Sequence, residues 1–385
     1  MSGFCNVVVR MNGRSIVIGA FFPRSLEAEG IGTLVTGLAE GLTRNGYRIE
    51  MVLPQGNYHF SPGVSITTYA PGLGALKTYC QAIRAQSGDA QAVFLFEISP
   101  SMGFLASASR CVNTYLYFYT PVLTLRTSRD IGHNFQRWRH VAVMHSIWNR
   151  IQKWSQRRCI VATEFQANQL RKLSPKQLHI LPASSISAER SVPTRFQARE
   201  QLGLPKDEFI AGYLGHFAPA KGVETLIEAF DRHHLPGKLA LAHSRGGKLQ
   251  SKSTALLERL RRTNRLLEYE IVDSLVFLAA CDVVTLPYRT SSIHHLPLVL
   301  IESYAAATAV ITTDVGGLSS VHFDGHLGRT CHPRDADGLA LLLSEAIADK
   351  QNWWNMGQKC RKVFEESLSR EILVDGFEKL ITAEC

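Results

Sequence analysis

The chain has 385 residues, of which 45% are hydrophobic and 19% are charged. This length predicts two or three domains, because a domain usually holds ~100–200 residues, and the composition excludes a disordered or low-complexity protein. No apolar run approaches the ~20 residues of a membrane-spanning helix, and the first residues lack the apolar core of a secretory signal. The eight cysteines show no Cys-x-x-Cys spacing, which argues against a zinc ribbon or a disulfide framework. We therefore expect a globular cytoplasmic protein.

The net charge of +9 is unevenly distributed along the chain. Residues 1–190 hold 20 Lys and Arg against 9 Asp and Glu, a net +11, whereas residues 191–385 hold 22 against 24, a net −2. Between Asp130 and Glu164 there is no acidic residue at all. A basic N-terminal half indicates an anionic partner or surface.

Short apolar runs alternate with helical patterns along the first half. Ser15–Phe22 is a β-branched run followed by Pro23, which is typical of a buried parallel strand. An apolar helix face then begins near Leu34 and ends near Gly46. Further strands are predicted at Arg48–Leu53, Ala92–Phe96, Thr114–Phe118, Cys159–Thr163 and Leu178–Leu181. Alternation of this kind predicts a parallel sheet.

The second half repeats the alternation after a linker. The small polar segment Ala183–Thr194 contains a proline and predicts that linker. Strands are predicted at Phe209–Gly215, Leu239–Ala242, Val283–Pro287 and Ala309–Thr312, and helices at Val223–Phe230, Ser253–Arg262 and Leu298–Ala307. The fold class is therefore α/β, with two doubly wound parallel-sheet domains.

A strand-to-helix turn at residues 215–222 carries the first candidate site. Gly215 ends the strand, and Lys221 and Gly222 precede the next helix. Unpaired N–H groups and the positive end of a helix dipole favour an anion there, and Lys221 adds a full charge. The alternative is a solvated lysine in a loop.

Glu302 carries the second candidate site. It lies in the middle of an apolar helix that begins near Pro297, where a carboxylate needs a hydrogen-bonding partner. A ligand hydroxyl and a neighbouring arginine are the two partners considered.

Taken together, these motifs resemble those of the GT-B glycosyltransferases, specifically glycosyltransferase family 4. The resemblance covers most of the chain. It is carried, in family order, by Glu29–Gly32, Ile180–Pro182, Gly215, Lys221, Gly222, Ala279–Asp282, Glu302 and Thr313–Gly317.

The resemblance implies two Rossmann-like domains facing each other across a cleft: an acceptor-side domain at 1–184 and a nucleotide-sugar domain at 185–365. A helix at 366–385 is expected to return to the first domain. The expected donor is a nucleotide-diphosphate sugar, most simply a UDP-sugar, and the expected transfer is retaining, with the leaving phosphate as base. The implied donor-binding residues are Gly30, Gly32, Gly215, Lys221, Leu298, Val299 and Glu302.

Three departures from the family pattern concern residues expected at the reacting centre beside Lys221. His216 stands where relatives have Arg, so a permanent charge becomes a group that titrates near neutrality. His294 replaces the first Glu of the family's Glu-seven-Glu motif, and Tyr119 stands where relatives have His. These changes motivate the alternatives of a catalytically impaired sugar-nucleotide-binding or scaffolding protein, or of a GT-B epimerase.

No metal or other cofactor is expected. Adjacent histidines, as in His233-His234, point apart and lack a third ligand. The Asp335-Ala-Asp337 sequence mimics a metal-binding pair, but it precedes an apolar helix and predicts an N-cap.

The basic segment at residues 134–158 predicts a helix with aromatic residues at three- and four-residue spacing. Such a helix suits an anionic membrane surface, and a core helix with solvated basic residues is the alternative. With the charge of the first half, it favours an anionic or membrane-anchored acceptor, such as a lipid-linked glycan, over nucleic acid. The residues assigned to an acceptor or membrane surface are Arg137, Trp138, Arg139, Trp148, Arg150, Lys153 and Trp154.

Overall fold

The structure of the protein is a computed structural model. It describes residues 15–21, 30–70, 72, 74–97, 100–118, 153–185, 188, 190–243, 249, 251–270, 272–290, 296–318 and 325–383. These residues form two parallel sheets that follow one another along the chain.

The first sheet contains β1 Ser15–Ala20, β2 Arg48–Pro54, β3 Val64–Tyr69, β4 Ala92–Glu97, β5 Thr114–Phe118, β6 Arg158–Val161 and β7 Gln177–Ile180. Its order is β3-β2-β1-β4-β5-β6-β7, and each pair is parallel. Ile16 of β1 is in register with Ile49 on one side and Ala92 on the other. Every residue of β5 is buried, which explains why central strands read as continuous apolar runs.

Helices cover this sheet, namely α1 Gly30–Arg44, α2 Ala75–Gln86 and α3 Glu164–Arg171, with a 3₁₀ helix at Pro100–Ala108. The predicted apolar face of α1 is confirmed, since Leu34, Val35, Leu38 and Leu42 are at most 1% exposed. Thr163 caps α3, because its hydroxyl accepts the N–H of Gln166.

The second sheet contains β8 Ile210–Leu214, β9 Lys238–Ala242, β10 Leu266–Tyr269, β11 Val283–Leu286, β12 Val310–Thr313 and β13 Gly328–Cys331. Its order is β10-β9-β8-β11-β12-β13, and all its pairs are parallel. Its helices are α4 Arg195–Gln201, α5 Val223–Arg232, α6 Ser251–Arg262, α7 Ser274–Ala280, α8 Leu298–Ala305, α9 Ala336–Ala348 and α10 Lys350–Val363. The predicted α/β class with two Rossmann-like sheets is confirmed.

The chain returns to the first sheet at its end. After α10, a π-helical turn at Phe364–Leu368 leads into α11 Arg370–Thr382, which packs against α1. Phe377 of α11 is fully buried, and its ring lies 4.8 Å from the ring of Phe94 in β4. The hydroxyl of Tyr115 donates to the carbonyl of Leu380 at 3.3 Å.

The predicted α-helix does not extend through the described end of the basic segment. Trp154–Gln156 is a single 3₁₀ turn, and Arg158 begins β6. Trp154 is only 5% exposed, and its ring lies 6.0 Å from that of Phe118. The assignment of Trp154 to a membrane or acceptor surface is therefore wrong, because its apolar area is already used in the core of the first domain. Lys153 beside it is exposed.

Each sheet has a point where the strand order reverses. In the second sheet the chain runs outward from β8 to β9 and β10, and then crosses to β11 on the other side of β8. Loops after adjacent strands diverge at such a point and leave a crevice at the carboxyl edge of the sheet, where α/β proteins bind ligands. The first sheet has its reversal between β1 and β4. In the part of the chain that is described, no helix is both long and apolar enough to cross a membrane.

Candidate active site

The turn after β8 brings the first candidate motif to the strand-order reversal of the second sheet. Gly215 has a φ of +149°, a conformation that glycine adopts readily, and its N–H donates to Ala242 at the end of β9. His216 follows and is exposed, while its carbonyl accepts the hydroxyl of the buried Tyr213 at 3.0 Å. This bond holds the turn against β8, with the His216 side chain toward solvent.

Gly222 joins this turn to the loop after β11. It has a left-handed φ of +69° and is the N-cap of α5. A Cβ atom built there would lie 1.9 Å from the carbonyl oxygen of Pro287. The N–H of Arg289 also donates to the carbonyl of Ala220 at 2.8 Å. The two loops of the crevice are thus packed backbone to backbone, and only glycine fits at position 222.

Lys221 lies where these loops meet. It ends the 3₁₀ turn Pro219–Lys221, is 9% exposed, and its Nζ lies 5.8 Å from the centre of the Tyr288 ring. A Cβ at Gly215 would lie 3.5 Å from the same Nζ. The solvated-lysine alternative therefore does not describe Lys221, which holds a largely buried charge beside the first turn of α5.

An ion pair lies between the first turn of α5 and the β11 loop. Glu224 in the first turn of α5 pairs with Arg289, Oε2 to Nη1, at 2.8 Å. Arg289 also donates to the hydroxyl of Thr225 at 3.3 Å. This arrangement ties the β11 loop to the first turn of α5, and the N-terminus of a helix favours an anion.

Glu302 on α8 is buried and bonded to the linker that joins the two sheets. Its Oε1 accepts the hydroxyl of Ser185 at 2.7 Å, and the residue is 8% exposed. Burial raises the pKa of Glu302 above its ordinary value, while hydrogen bonds from Ser185 and Ser274 act in the opposite direction. Among the described residues, serine hydroxyls and not an arginine hydrogen-bond this carboxylate.

The start of α8 is less enclosed than its middle. Pro297 is the N-cap, and Leu298 and Val299 are half-buried, whereas Leu300 is fully buried. Leu298 and Val299 therefore keep accessible area at the end of α8 that follows β11.

The Thr313–Gly317 motif connects three parts of the molecule. The buried hydroxyl of Thr313 donates to the carbonyl of Tyr288 at 2.5 Å, beside Lys221. A Cβ at Gly317 would lie 3.0 Å from Phe165 Cβ, at the start of α3 in the first domain. This loop therefore crosses the cleft, and glycine permits the close approach.

In the first domain, Gly30 and Gly32 do not form the predicted loop. Gly30 is the first residue of α1, and Gly32 lies in its first turn and is buried. Glycine can adopt helical dihedral angles like other residues. The spacing of Gly30 and Gly32 was therefore compatible with a helix as well as with a loop. The first turn of α1 follows β1, at the strand-order reversal of this sheet.

Several predicted residues lie outside the described part of the chain. They are Tyr119, His294, Arg137, Trp138, Arg139, Trp148 and Arg150.

The residues suspected of binding metal have other partners. Asp335 caps α9, since its carboxylate accepts the N–H of Gly338 at 2.8 Å, which confirms the predicted N-cap. Asp337 pairs with His233 at 2.8 Å and with Arg232 at 3.2 Å. Within the described ranges no cluster of three or more His, Cys, Asp or Glu residues is arranged to hold a metal ion.

Sequence reasoning missed the residues of the β11 loop that complete the site. Pro287, Tyr288 and Arg289 contact Gly222, Lys221 and Glu224 respectively. The only available signal was a proline at the end of a predicted strand, which marks a loop and does not reveal its contacts.

Part of the chain matches the model of a known family. Residues 194–363 match the family model of the glycosyl transferases group 1. The match contains the Gly215–Gly222 turn, the β11 loop and α8, so all the described candidate residues of the second sheet belong to it.

Curated relatives match part of the chain. The putative teichuronic acid biosynthesis glycosyltransferase TuaC of Bacillus subtilis is 31% identical over 151 residues, which are 39% of this chain and 36% of TuaC. The lipopolysaccharide core biosynthesis glycosyltransferase LpsE of Rhizobium meliloti is 29% identical over 187 residues, 48% of this chain and 53% of LpsE. The chain thus spans about half the length, or less, of these relatives.

Solved structures show the same fold over nearly the whole chain. A sucrose-phosphate synthase from Thermosynechococcus elongatus superposes with a TM-score of 0.78 at 20% identity, covering 96% of this chain and 99% of that one. HepE of Anabaena, solved in complex with UDP and glucose, gives 0.68 at 15% identity, covering 96% and 100%. At these identities the likeness shows the fold alone, which is the two-domain GT-B arrangement.

Proposed function

We propose that the protein is a retaining glycosyltransferase of family 4 that transfers a sugar from a UDP-sugar to a hydroxyl of an anionic or membrane-associated acceptor, such as a lipid-linked glycan. The observation that carries the proposal is the buried Lys221 at the crevice between β8 and β11, beside the N-terminus of α5.

The donor diphosphate fits this crevice on electrostatic grounds. Lys221 would compensate its charge from a partly desolvated position, where a cation acts more strongly than in water. Gly215 would let the phosphates approach the backbone, and the first turn of α1, with Gly30 and Gly32, would face them from the other domain. His216 would add a second, titratable donor from the same turn.

The nucleoside would lie along the start of α8, against Leu298 and Val299. Glu302 would contact the ribose by exchanging the Ser185 hydroxyl for a ribose hydroxyl, which conserves its hydrogen bonding. A retaining transfer in which the leaving phosphate accepts the acceptor proton needs no protein base, so the protein contributes positioning and charge stabilisation. Tyr119 and His294 remain predicted contacts to the sugar.

Relatives support the substrate classes. HepE has been solved with UDP and with UDP-glucose, and TuaC and LpsE are named for teichuronic acid and lipopolysaccharide core biosynthesis. The net charge of +11 in residues 1–190 is consistent with an anionic acceptor on the first domain. Lys153 and the basic residues before it would contribute to that surface.

Ligand-induced thermal stabilisation tests the donor site. UDP-, GDP-, ADP- and dTDP-sugars are compared, and a ligand at 100 times its dissociation constant adds about 2.7 kcal/mol. We expect stabilisation by a UDP-sugar in the wild type and its loss in Lys221→Ala. Lys362→Ala is the matched control, because Lys362 is 74% exposed and pairs only at 3.7 Å with Glu366. Equal stabilisation of the two variants by the UDP-sugar would show that Lys221 does not contribute to donor binding.

Product formation separates the enzyme from its alternatives. Transfer of radiolabelled sugar to a glycan acceptor is expected, whereas donor binding without transfer or hydrolysis would favour a catalytically impaired binding protein. A change in the donor sugar's configuration without transfer would favour an epimerase. Because Lys221 supplies the compensating charge, activity is expected to persist in EDTA.

A further inference from the structure

A groove on the second domain lies apart from the candidate active site. It has a volume of about 640 Å³, within the range of small-molecule pockets. Its lining comes from the linker before α4, the ends of α7 and α8, and α10, and it contains none of the predicted donor residues. The lining includes Arg190, Arg195, Ala305, Thr308, Trp354 and Arg361.

The groove is at the opposite edge of the second sheet from the active site. Thr308 comes just before β12, and Asp282, the partner of Arg195, comes just before β11. These are the amino ends of the strands, whereas Lys221 follows the carboxyl end of β8. The groove is therefore a separate site and not an extension of the crevice.

The lining of the groove is basic. Arg190, Arg195 and Arg361 line it, and none of the described lining residues is Asp or Glu. Arg190 pairs with Asp273 outside the groove. A wall of guanidinium groups without carboxylates in the lining is a typical binding surface for phosphate.

The charge of Arg195 is incompletely compensated. Its Nη1 lies 3.0 Å from one oxygen of Asp282, but the other oxygen lies 2.7 Å from Arg199 Nη2 and accepts the N–H of Ile210 at 2.7 Å. One carboxylate thus serves two guanidinium groups, which leaves a net positive charge in the wall. Burial lowers the pKa of Arg195, and Arg199 adds to the lowering while Asp282 opposes it. An anion in the groove would relieve this imbalance.

Helix α10 contributes Trp354, Gln358 and Arg361 to the lining. Arg361 donates from Nη1 to the carbonyl of Ala305 at 2.7 Å and from Nε to Glu365 at 2.7 Å, which fixes its guanidinium plane at the groove. Trp354 lies two turns earlier on α10 and is 44% exposed. The small side chains of Ala305, Ala306 and Ala307 at the end of α8 also line the groove. An exposed indole beside fixed guanidinium groups suits a ring that carries a phosphate.

We propose that this groove binds a phosphorylated sugar, with its phosphate on Arg195 and Arg361 and its ring against Trp354. The site is distinct from the donor site, and it stands independently of the proposed transferase activity.

Calorimetric titration of the full chain with glucose 1-phosphate tests the proposal. We expect binding to the wild type, at least about tenfold weaker binding to Arg195→Lys and to Arg361→Gln, and competition by inorganic phosphate but not by glucose. Arg195→Lys retains a charge for Asp282 and loses the planar fork. Arg262→Gln on α6 is the matched control, because Arg262 is 78% exposed and does not line the groove.

A second set of titrations separates this site from the donor site. Lys221→Ala should keep glucose 1-phosphate binding and lose UDP-sugar binding, and Arg361→Gln should show the reverse. Trp354→Ala should weaken glucose 1-phosphate more than inorganic phosphate. The proposal is overturned if the wild type does not bind glucose 1-phosphate at about 10 mM, or if both arginine variants, folded by circular dichroism, bind it as tightly as the wild type. Loss of glucose 1-phosphate binding in Lys221→Ala would show that this ligand binds in the crevice, which would also overturn the proposal.

Discussion

Replacing Gly222 by alanine tests how the candidate site is built. The new Cβ would meet the carbonyl oxygen of Pro287 at 1.9 Å and its carbon at 3.0 Å, and both are backbone atoms that cannot rotate away. The residue also keeps a left-handed φ of +69°, which costs an alanine about 1–2 kcal/mol. Displacing the Pro287 loop adds about 1–3 kcal/mol, the usual cost of overpacking. The expected destabilisation is about 2–5 kcal/mol.

Gly203→Ala is the matched control for this substitution. Gly203 has a similar φ of +63°, but its Cβ would meet nothing within 4 Å. It should therefore show only the backbone cost of about 1–2 kcal/mol. Urea unfolding followed by circular dichroism measures both variants.

The binding consequence distinguishes the two variants further. The Pro287 loop carries Tyr288 against Lys221, so Gly222→Ala should also weaken UDP-sugar binding, whereas Gly203→Ala should not. Equal destabilisation of the two variants, with unchanged donor binding, would refute the contact between the two loops.

Two further predictions concern Glu302 and the returning helix. Since burial raises the pKa of Glu302, the folded protein binds the proton of this carboxyl more tightly than the unfolded chain, and stability is lost as pH rises above 4.5 through the raised pKa. In urea unfolding at pH 4 and pH 7, Glu302→Gln should therefore lose less stability between the two pH values than the wild type. Equal losses in the two proteins would contradict the buried environment of Glu302. Phe377→Ala removes a fully buried ring between α11 and the first sheet and should lower the free energy of unfolding by about 3–5 kcal/mol. Ile372→Ala on the same helix should lower it far less, because Ile372 is 39% exposed. Similar destabilisation of the two variants in thermal unfolding would show that α11 does not dock through Phe377.

The predicted strands include every inner strand of the two sheets and one edge strand, β7. β1, β5, β8 and β11 lie inside the sheets, where burial on both faces demands a continuous apolar run. The missed strands β3, β10 and β13 all lie at sheet edges. β3 has the sequence VSITTY, and all its residues before the buried Tyr69 are exposed or half-buried. An edge strand is held by one neighbour and needs less apolar surface, so its sequence resembles a loop.

The candidate site divides in the same way. Lys221 and Gly222 could be selected because a strand-to-helix turn has a local sequence pattern. The partners of these residues could not, because Pro287 and Tyr288 are more than sixty residues away and no local pattern encodes the approach of two backbones. Trp154 was wrongly assigned for a related reason. The three- and four-residue spacing of the aromatic residues predicts a helix up to residue 158, whereas the chain forms a 3₁₀ turn at Trp154 and begins β6 at Arg158.

The groove on the second domain was also beyond sequence reasoning. Its arginines come from the linker, from the start of α4 and from α10, which is more than 160 residues further along the chain, and the shared carboxylate of Asp282 precedes β11. Such a combination becomes visible only when the second sheet is assembled.

The most direct test of the central claim is a crystal structure of the protein with UDP-glucose. We expect the diphosphate in the crevice between β8 and β11, with a phosphate oxygen about 3 Å from Lys221 Nζ and the ribose beside Glu302. A diphosphate bound elsewhere, with Lys221 still against Tyr288 and out of contact with the ligand, would contradict it.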